Sequence, residues 1–216
     1  MKPRLLDLFC GAGGCSVGYH RAGFEVVGVD NRPQKNYPFE FHQADALEYC
    51  VEHWQEFDAI HASPPCQGYS RLKSMHPQKS DAYPRLIPAT RELLAKTGRP
   101  FVIENVEGSD LSGVILCGSM FGLRIERGWL RRHRKFESSF FMLQPSCQHP
   151  SGEMAVGVYG HGGHSGKRRM LYRREAAEIL QIDWMNQSEL SQAIPPAYTE
   201  WIGRQLLGYL GVSDDD

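Results

Sequence analysis

Residues 4–14 read RLLDLFCGAGG, an apolar run interrupted by Asp7 and closed by a glycine-rich turn. A short apolar run that ends on glycines reads as a buried strand entering a tight turn. Residues 14–22 follow with a helical pattern that stops near Gly23. Strand, turn and helix make the first unit of a layout that the chain then repeats. Residues 25–29 are β-rich and end at Asp30, residues 41–44 are a weaker strand candidate, and residues 46–56 read as a helix. Residues 59–62 form a short strand broken by Pro64-Pro65, residues 85–96 a helix ended by Gly98, and residues 101–104 a further strand. Residues 114–117 and 134–142 suggest more strands, and residues 175–181 and 199–210 two more helices. Strands alternating with helices predict an α/β fold, a Rossmann-like and mostly parallel sheet with helices on both faces.

The 216 residues suit a single domain, 1–216. Within it, residues 136–168 are expected to form a short irregular insertion, because residues 144–168 are rich in Gly, His, Ser and Pro. No apolar run approaches the ~18–20 residues that cross a bilayer. Asp7 also arrives too early for a signal peptide, so a cytoplasmic protein without a membrane partner is expected. The six cysteines include no C-x-x-C pair and are read as free thiols. Trp129, Trp184 and Trp201 are read as core. Net charge is −1, so only the distribution of charge points to a partner. Residues 124–135 hold six Lys/Arg and residues 167–174 hold five, which suits a phosphate-bearing partner.

Glycines at a strand-to-helix turn let a ligand approach the backbone, and open α/β sheets bind small molecules beyond their strand ends. Gly11, Gly13 and Gly14 do not make the G-x-G-x-x-G of a dinucleotide site. Asp7 suits a cationic or amino-bearing ligand better than a pyrophosphate, which favours S-adenosylmethionine. Asp30, at the end of the second strand, is placed to hold ribose hydroxyls. Asp45, after the third, is placed near the adenine amino group.

Residues 63–70 read SPPCQGYS after the fourth strand. Two prolines stiffen the chain before Cys66, a placement that suits reaction more than packing. A thiolate needs a lowered pKa or a nearby positive charge. Glu104-Asn105-Val106 ends the next strand, so a carboxylic acid and a thiol can address one ring from two edges.

DLFCGAGG, SPPCQGYS and ENV, in that order, resemble the cytosine-C5 DNA methyltransferases, whose fold is the class I S-adenosylmethionine-dependent one. The likeness is good over residues 5–135 and looser beyond. It implies methyl transfer from S-adenosylmethionine to carbon 5 of cytosine in DNA, with Cys66 as nucleophile on a flipped base and Glu104 at ring nitrogen 3. Arg132 and Arg134 resemble the family's Arg-x-Arg element, although Leu130 stands where a glutamine is expected. Asp30 stands for the more usual glutamate, and Gln192, followed by Ala193, for an asparagine that contacts the cofactor. The expected cofactor cleft comprises Asp7, Phe9, Gly11, Gly13, Asp30, Asn31, Asp45, Ala46, Pro65, Leu86, Gln192 and Ala193. DNA contacts are expected through residues 67–83, which match the family's catalytic loop, and through 124–135 and 159–174.

The family's large target-recognition domain has little counterpart between Arg134 and Arg173-Arg174-Glu175. That shortage predicts a short or relaxed sequence preference, a recognition subunit, or an unusual substrate. Alternatives are the same chemistry on RNA or a free nucleotide, and a non-catalytic cofactor-binding accessory protein. Cys147, His149, His161 and His164 are metal ligands by type. Their C-x-H and H-x-x-H spacings match no standard finger, so they are read as polar loop residues and no metal site is expected.

Overall fold

The computed structural model describes residues 1–66, 85–126, 128–159 and 169–212. A seven-stranded sheet runs through it. Its strands are β1 (Arg4–Leu8), β2 (Glu25–Asp30), β3 (Glu40–Gln43), β4 (Ala59–Ala62), β5 (Phe101–Val106), β6 (Val114–Leu116) and β9 (Arg134–Ser138). Their spatial order is β3-β2-β1-β4-β5-β9-β6. The first five are parallel, whereas β9 runs antiparallel to both β5 and β6. Connections cross over on both sides of β1, so the sheet reverses direction of growth there. Ligands of open α/β sheets bind at that switch point, beyond the carboxyl ends of the strands.

Both faces of the sheet are covered, and the alternation of side chains along β1 shows it. Leu5 packs with one apolar cluster and Leu6 and Leu8 with another on the opposite face. The first cluster takes in helices α1 (Gly14–Ala22) and α6 (Pro196–Leu210), and the second α2 (Ala46–His53) and α3 (Ile87–Thr97). Asp7 is the polar exception in β1 and is fully buried.

Helix α1 is stopped by Gly23 as its sequence implies, and α2 begins at Asp45, whose carboxylate accepts from the Leu47 and Glu48 amides. That is the usual N-cap arrangement, which satisfies orphan N–H groups of the first turn. The expected helix over 46–56 is shorter, with a separate 3-10 turn at Trp54–Glu56. The C-terminal part adds α4 (Arg173–Leu180) and α5 (Gln187–Gln192), the latter absent from the sequence reading. Its signal was legible: Asn186 and Glu189 form a capping box.

A second sheet is built around the segment 136–168 read as an irregular insertion, with one strand inside it and three flanking it. Strands β7 (Arg124–Ile125), β8 (Gly128–Leu130), β10 (Ala155–Gly157) and β11 (Arg169–Met170) pair in the order β11-β10-β8-β7. Each holds two or three residues, too short for a period-2 pattern to be seen. Of the tryptophans read as core, Trp129 is buried, but Trp201 is 37% exposed and donates to the Leu143 carbonyl.

Candidate active site

The ends of β1, β2, β4 and β5 open into one cleft of about 920 Å³, a size typical of a site for a drug-sized ligand. Phe9 starts its floor. It follows β1 in the left-handed region (φ 60°), which a bulky side chain seldom adopts. The turn swings the chain from the strand into Gly11 and Gly13, both also at positive φ. Gly13 is the N-cap of α1, and a Cβ there would meet Pro38 and Tyr37 at about 3 Å.

Asp30 fixes this turn. One carboxylate oxygen accepts from the Gly11 amide at 3.1 Å and the other from the Arg32 amide at 3.0 Å. Behind the turn, Asp7 accepts from Ser16 Oγ, and Ser16 Oγ accepts from Tyr37 Oη at 2.9 Å. Asp7 Oδ1 is buried and has no hydrogen-bond partner among the described residues. Burial is the main cause that pushes the Asp7 carboxyl up to about 7, with Asp30 and Glu104 adding repulsion.

Cys66 lies four residues past the end of β4, in the cleft wall. Asn105 holds the preceding prolines in place by donating to the Pro64 carbonyl at 2.8 Å. Glu104 sits one strand away, buried, with Arg134 Nε at 3.0 Å from its Oε1. Register explains the pair: Arg134 opens β9, which runs antiparallel beside β5. Burial raises the Glu104 carboxyl, against the opposing pull of Arg134, Arg132 and Ser63. Burial also raises the Cys66 thiol, as does Glu104, while Arg134 and Arg132 oppose the rise. The sequence asked for a lowered thiol or a nearby positive charge, and the two arginines are that charge. Burial and Glu104 outweigh them, so the thiol lies above its ordinary range while the arginines limit the cost of ionisation.

Among the residues named from sequence, Asp7, Phe9, Gly11, Asp30, Asn31 and Asp45 line this cleft. So do Ala46, Pro65, Leu86, Gln192 and Ala193, together with Cys66, Glu104 and Arg134. Gly13 shapes the turn without lining the cleft. Arg132 is not part of the wall. It is buried behind it and donates to the carbonyls of Val158 at 3.0 Å and Ser191 at 2.8 Å. Burial, with the charge of Arg134 adding to it, lowers its guanidinium to about 9. Asp45 lines the cleft while also capping α2.

Several contributors had no sequence signal of their own. Asn36 donates to both oxygens of Glu189, at 3.0 and 2.9 Å, and ties the segment after β2 to α5. Trp184 Nε1 donates to the Ala12 carbonyl at 2.9 Å and holds the glycine turn from outside. These contacts join residues 150 or more positions apart, and no local pattern announces them.

The basic stretch 124–135 is less of a surface patch than its composition suggested. Arg124 pairs with Glu153, Arg132 and Arg134 point inward, and Lys135 donates to the Ser109 carbonyl. In the second stretch, Arg173 Nε donates to the Met185 carbonyl. The expected DNA-contacting segment 67–83, with Arg71, Lys73 and Lys79, and residues 160–168, with His161 and His164, lie outside the described residues.

Residues 3–110 match the model of the C-5 cytosine-specific DNA methylases. The chain belongs to this family. The matched half carries the cofactor turn, Cys66 and Glu104, so the family assignment and the cleft coincide. The type II methyltransferase M.FnuDI of Fusobacterium nucleatum is 30% identical over 115 residues, 49% of this chain and 33% of that one. The type II methyltransferase M.AquIA of Picosynechococcus is 29% identical over 127 residues, half of each chain. The chain therefore spans a third to a half of the length of these curated relatives. A crystal structure of the Schizosaccharomyces pombe Dnmt2 methyltransferase superposes with a TM-score of 0.66 at 13% identity, covering 97% of this chain and 99% of that one. At that identity the likeness concerns the fold, which is the class I S-adenosylmethionine-dependent methyltransferase fold. No helix among the described residues is long and apolar enough to cross a membrane.

Proposed function

We propose that this cytosine-specific methylase transfers a methyl group from S-adenosylmethionine to carbon 5 of cytosine in DNA, through a transient bond to Cys66. One observation carries the reading: a thiol, a buried carboxylic acid and an arginine share a cleft with Asp7 and Asp30.

The cleft fits the methyl donor. Asp7 Oδ1 is a buried carboxylate oxygen unpaired among the described residues, which suits an ammonium or sulfonium and would repel a phosphate. Asp30 offers its carboxylate to ribose hydroxyls and Asp45 its carboxylate to the adenine end, with Phe9, Asn31, Ala46, Leu86, Gln192 and Ala193 as walls. Bound there, S-adenosylmethionine supplies an electrophilic methyl group.

The chain's own residues then work on the cytosine. The Cys66 thiol loses its proton and Sγ bonds to carbon 6, and the double-bond electron pair moves toward carbon 5. Glu104, whose carboxyl burial raises, donates a proton to ring nitrogen 3 and offsets the charge that develops. Arg134 holds Glu104 in place and favours the thiolate. Once carbon 5 carries the methyl group, its proton leaves, the carbon–sulfur bond breaks and Cys66 departs. The thiol must reach a ring face, so the base has to leave the helical stack.

Bisulfite sequencing of DNA from cells expressing the protein is the direct test. Cytosine-5 methylation is expected with the intact chain and is expected to vanish with Cys66→Ser, a loss of at least about a thousandfold. Purified Cys66→Ser should still bind S-adenosylmethionine in calorimetry. Full methylation by that variant would remove the covalent step. Methyl incorporation into RNA but not DNA would move the substrate.

A further inference from the structure

Four potential metal ligands meet on the far side of β9 from the cleft, and the methylase chemistry uses none of them. Cys117 follows β6 and is buried. His133 stands between Arg132 and Arg134 at the start of β9. Cys147 and His149 come from the segment after β9. Cys147 Sγ lies 3.0 Å from His149 Nε2 and 3.6 Å from His133 Nε2, and Cys117 Sγ lies 3.8 Å from His149 Nε2. All four ligand atoms fall within 4.8 Å of one another.

We infer that Cys117, His133, Cys147 and His149 form a structural zinc site. A tetrahedral zinc with Zn–S of ~2.3 Å and Zn–N of ~2.0–2.1 Å sets its ligand atoms about 3.3–3.8 Å apart, the spacing around which these atoms cluster. Two thiolates balance the charge of the dication. Four protein ligands close the coordination shell, which makes the site structural and not catalytic. The surroundings match a metal site as well. His133 Nδ1 faces Glu107 Oε2 at 3.3 Å, the carboxylate–histidine arrangement that orients a ligating imidazole. His149 stacks on Trp129 at 4.8 Å with a 23° interplanar angle, so its ring is also fixed. Ser119 Oγ lies 3.7 Å from Cys147 Sγ.

The position of the site gives it a purpose. Residues 139–154 contain no helix or strand and few apolar anchors. A metal would pin them to β8 and to the end of β6. It would also fix His133, and through it the backbone of the flanking arginines. The sequence reading paired Cys147 and His149 with His161 and His164. Their partners among the described residues, Cys117 and His133, come from other elements, so spacing along the chain could not find them.

The test reads metal and does not depend on methyl transfer. The intact chain, purified without chelator, should carry about one zinc in elemental analysis, and cobalt(II) in its place should give thiolate charge-transfer and tetrahedral ligand-field bands. Binding at neutral pH should release about two protons per metal. Cys147→Ser and His149→Ala, both on the outer segment, should lose the zinc and the cobalt spectrum, whereas Cys66→Ser should keep both. Should either variant fail to fold, cobalt titration of the intact chain decides alone. Metal-free protein that gives no thiolate bands with one equivalent of cobalt would overturn the inference. So would zinc retained at full occupancy in Cys147→Ser, or a Cys117–Cys147 disulfide found in place of the metal.

Discussion

Asp7 sits where a charge is least welcome, in the central strand under α1, and its own network leaves one oxygen without a partner among the described residues. With the carboxyl raised to about 7, most of the free protein carries it protonated at pH 6. A cationic ligand favours the ionised form, so binding below pH 7 must expel that proton. The affinity for S-adenosylmethionine is therefore expected to rise between pH 6 and 7 and to level off above. Calorimetry at pH 6.5 in two buffers of different ionisation enthalpy should show a released proton, and Asp7→Asn should remove both the release and the pH slope. The raised carboxyl also acts on stability. Its folded pKa lies above the unfolded value, so the stability that Asp7 contributes to the unliganded protein is lost as pH climbs from about 4 to 7. Glu104 is buried for a different end. Glu104→Gln keeps the shape and an N–H donor but no transferable proton. Turnover should fall about a hundredfold to ten-thousandfold while the dissociation constant for the methyl donor holds. An unchanged turnover number would remove Glu104 from the reaction.

At the scale of elements, the tightest joint is between α1 and α6. Gly18 lets the helices touch: a Cβ there would lie 2.2 Å from the Pro196 carbonyl oxygen and 2.0 Å from Thr199 Oγ1. Thr199 cannot simply turn away, because it is buried and donates to the Cys15 carbonyl at 2.8 Å. Gly18→Ala should therefore cost about 1–3 kcal/mol, read as a drop of several degrees in a thermal melt. The same joint explains what could be read from sequence. Strand β1, the glycine turn and α1 are one continuous segment whose signals are local, as are the short runs of β2, β4 and β5. They carry the cleft, so Asp7, Asp30, Cys66 and Glu104 could all be placed by chain position alone. Gln192 and Ala193 also line the cleft, but they get there because α6 packs back on α1 from the far end of the chain. Only the family resemblance pointed to them. Arg132 shows the opposite limit. The family's Arg-x-Arg element suggested a role at the cleft, whereas Arg132 is buried behind the wall, on the carbonyls of Val158 and Ser191. Charge counts failed in the same way at 124–135, because composition does not tell whether an arginine meets solvent or a carbonyl.

Across the whole molecule, catalysis and recognition are unequally provided for. The seven-stranded sheet brings the cofactor turn, Cys66 and Glu104 to one edge, and the match to the family's model covers that half of the chain. Beyond the matched half, the described residues offer a four-stranded sheet of two- and three-residue strands. Reading a base pair takes at least one side chain, and often a bidentate one, aimed into a groove. Several arginines that composition would have assigned to that task are committed to internal carbonyls and carboxylates. With these arginines among the described residues committed internally, a recognition motif shorter than six base pairs is expected. Purified protein acting on unmethylated genomic DNA should thus mark cytosines in a short context. The bisulfite profile is expected to show a motif of that length, with the flanking positions near random. A six-base-pair motif produced by the chain alone would contradict this, since it demands base-reading groups beyond the short sheet. A motif that lengthens only in cell extract would instead place those groups on a second polypeptide.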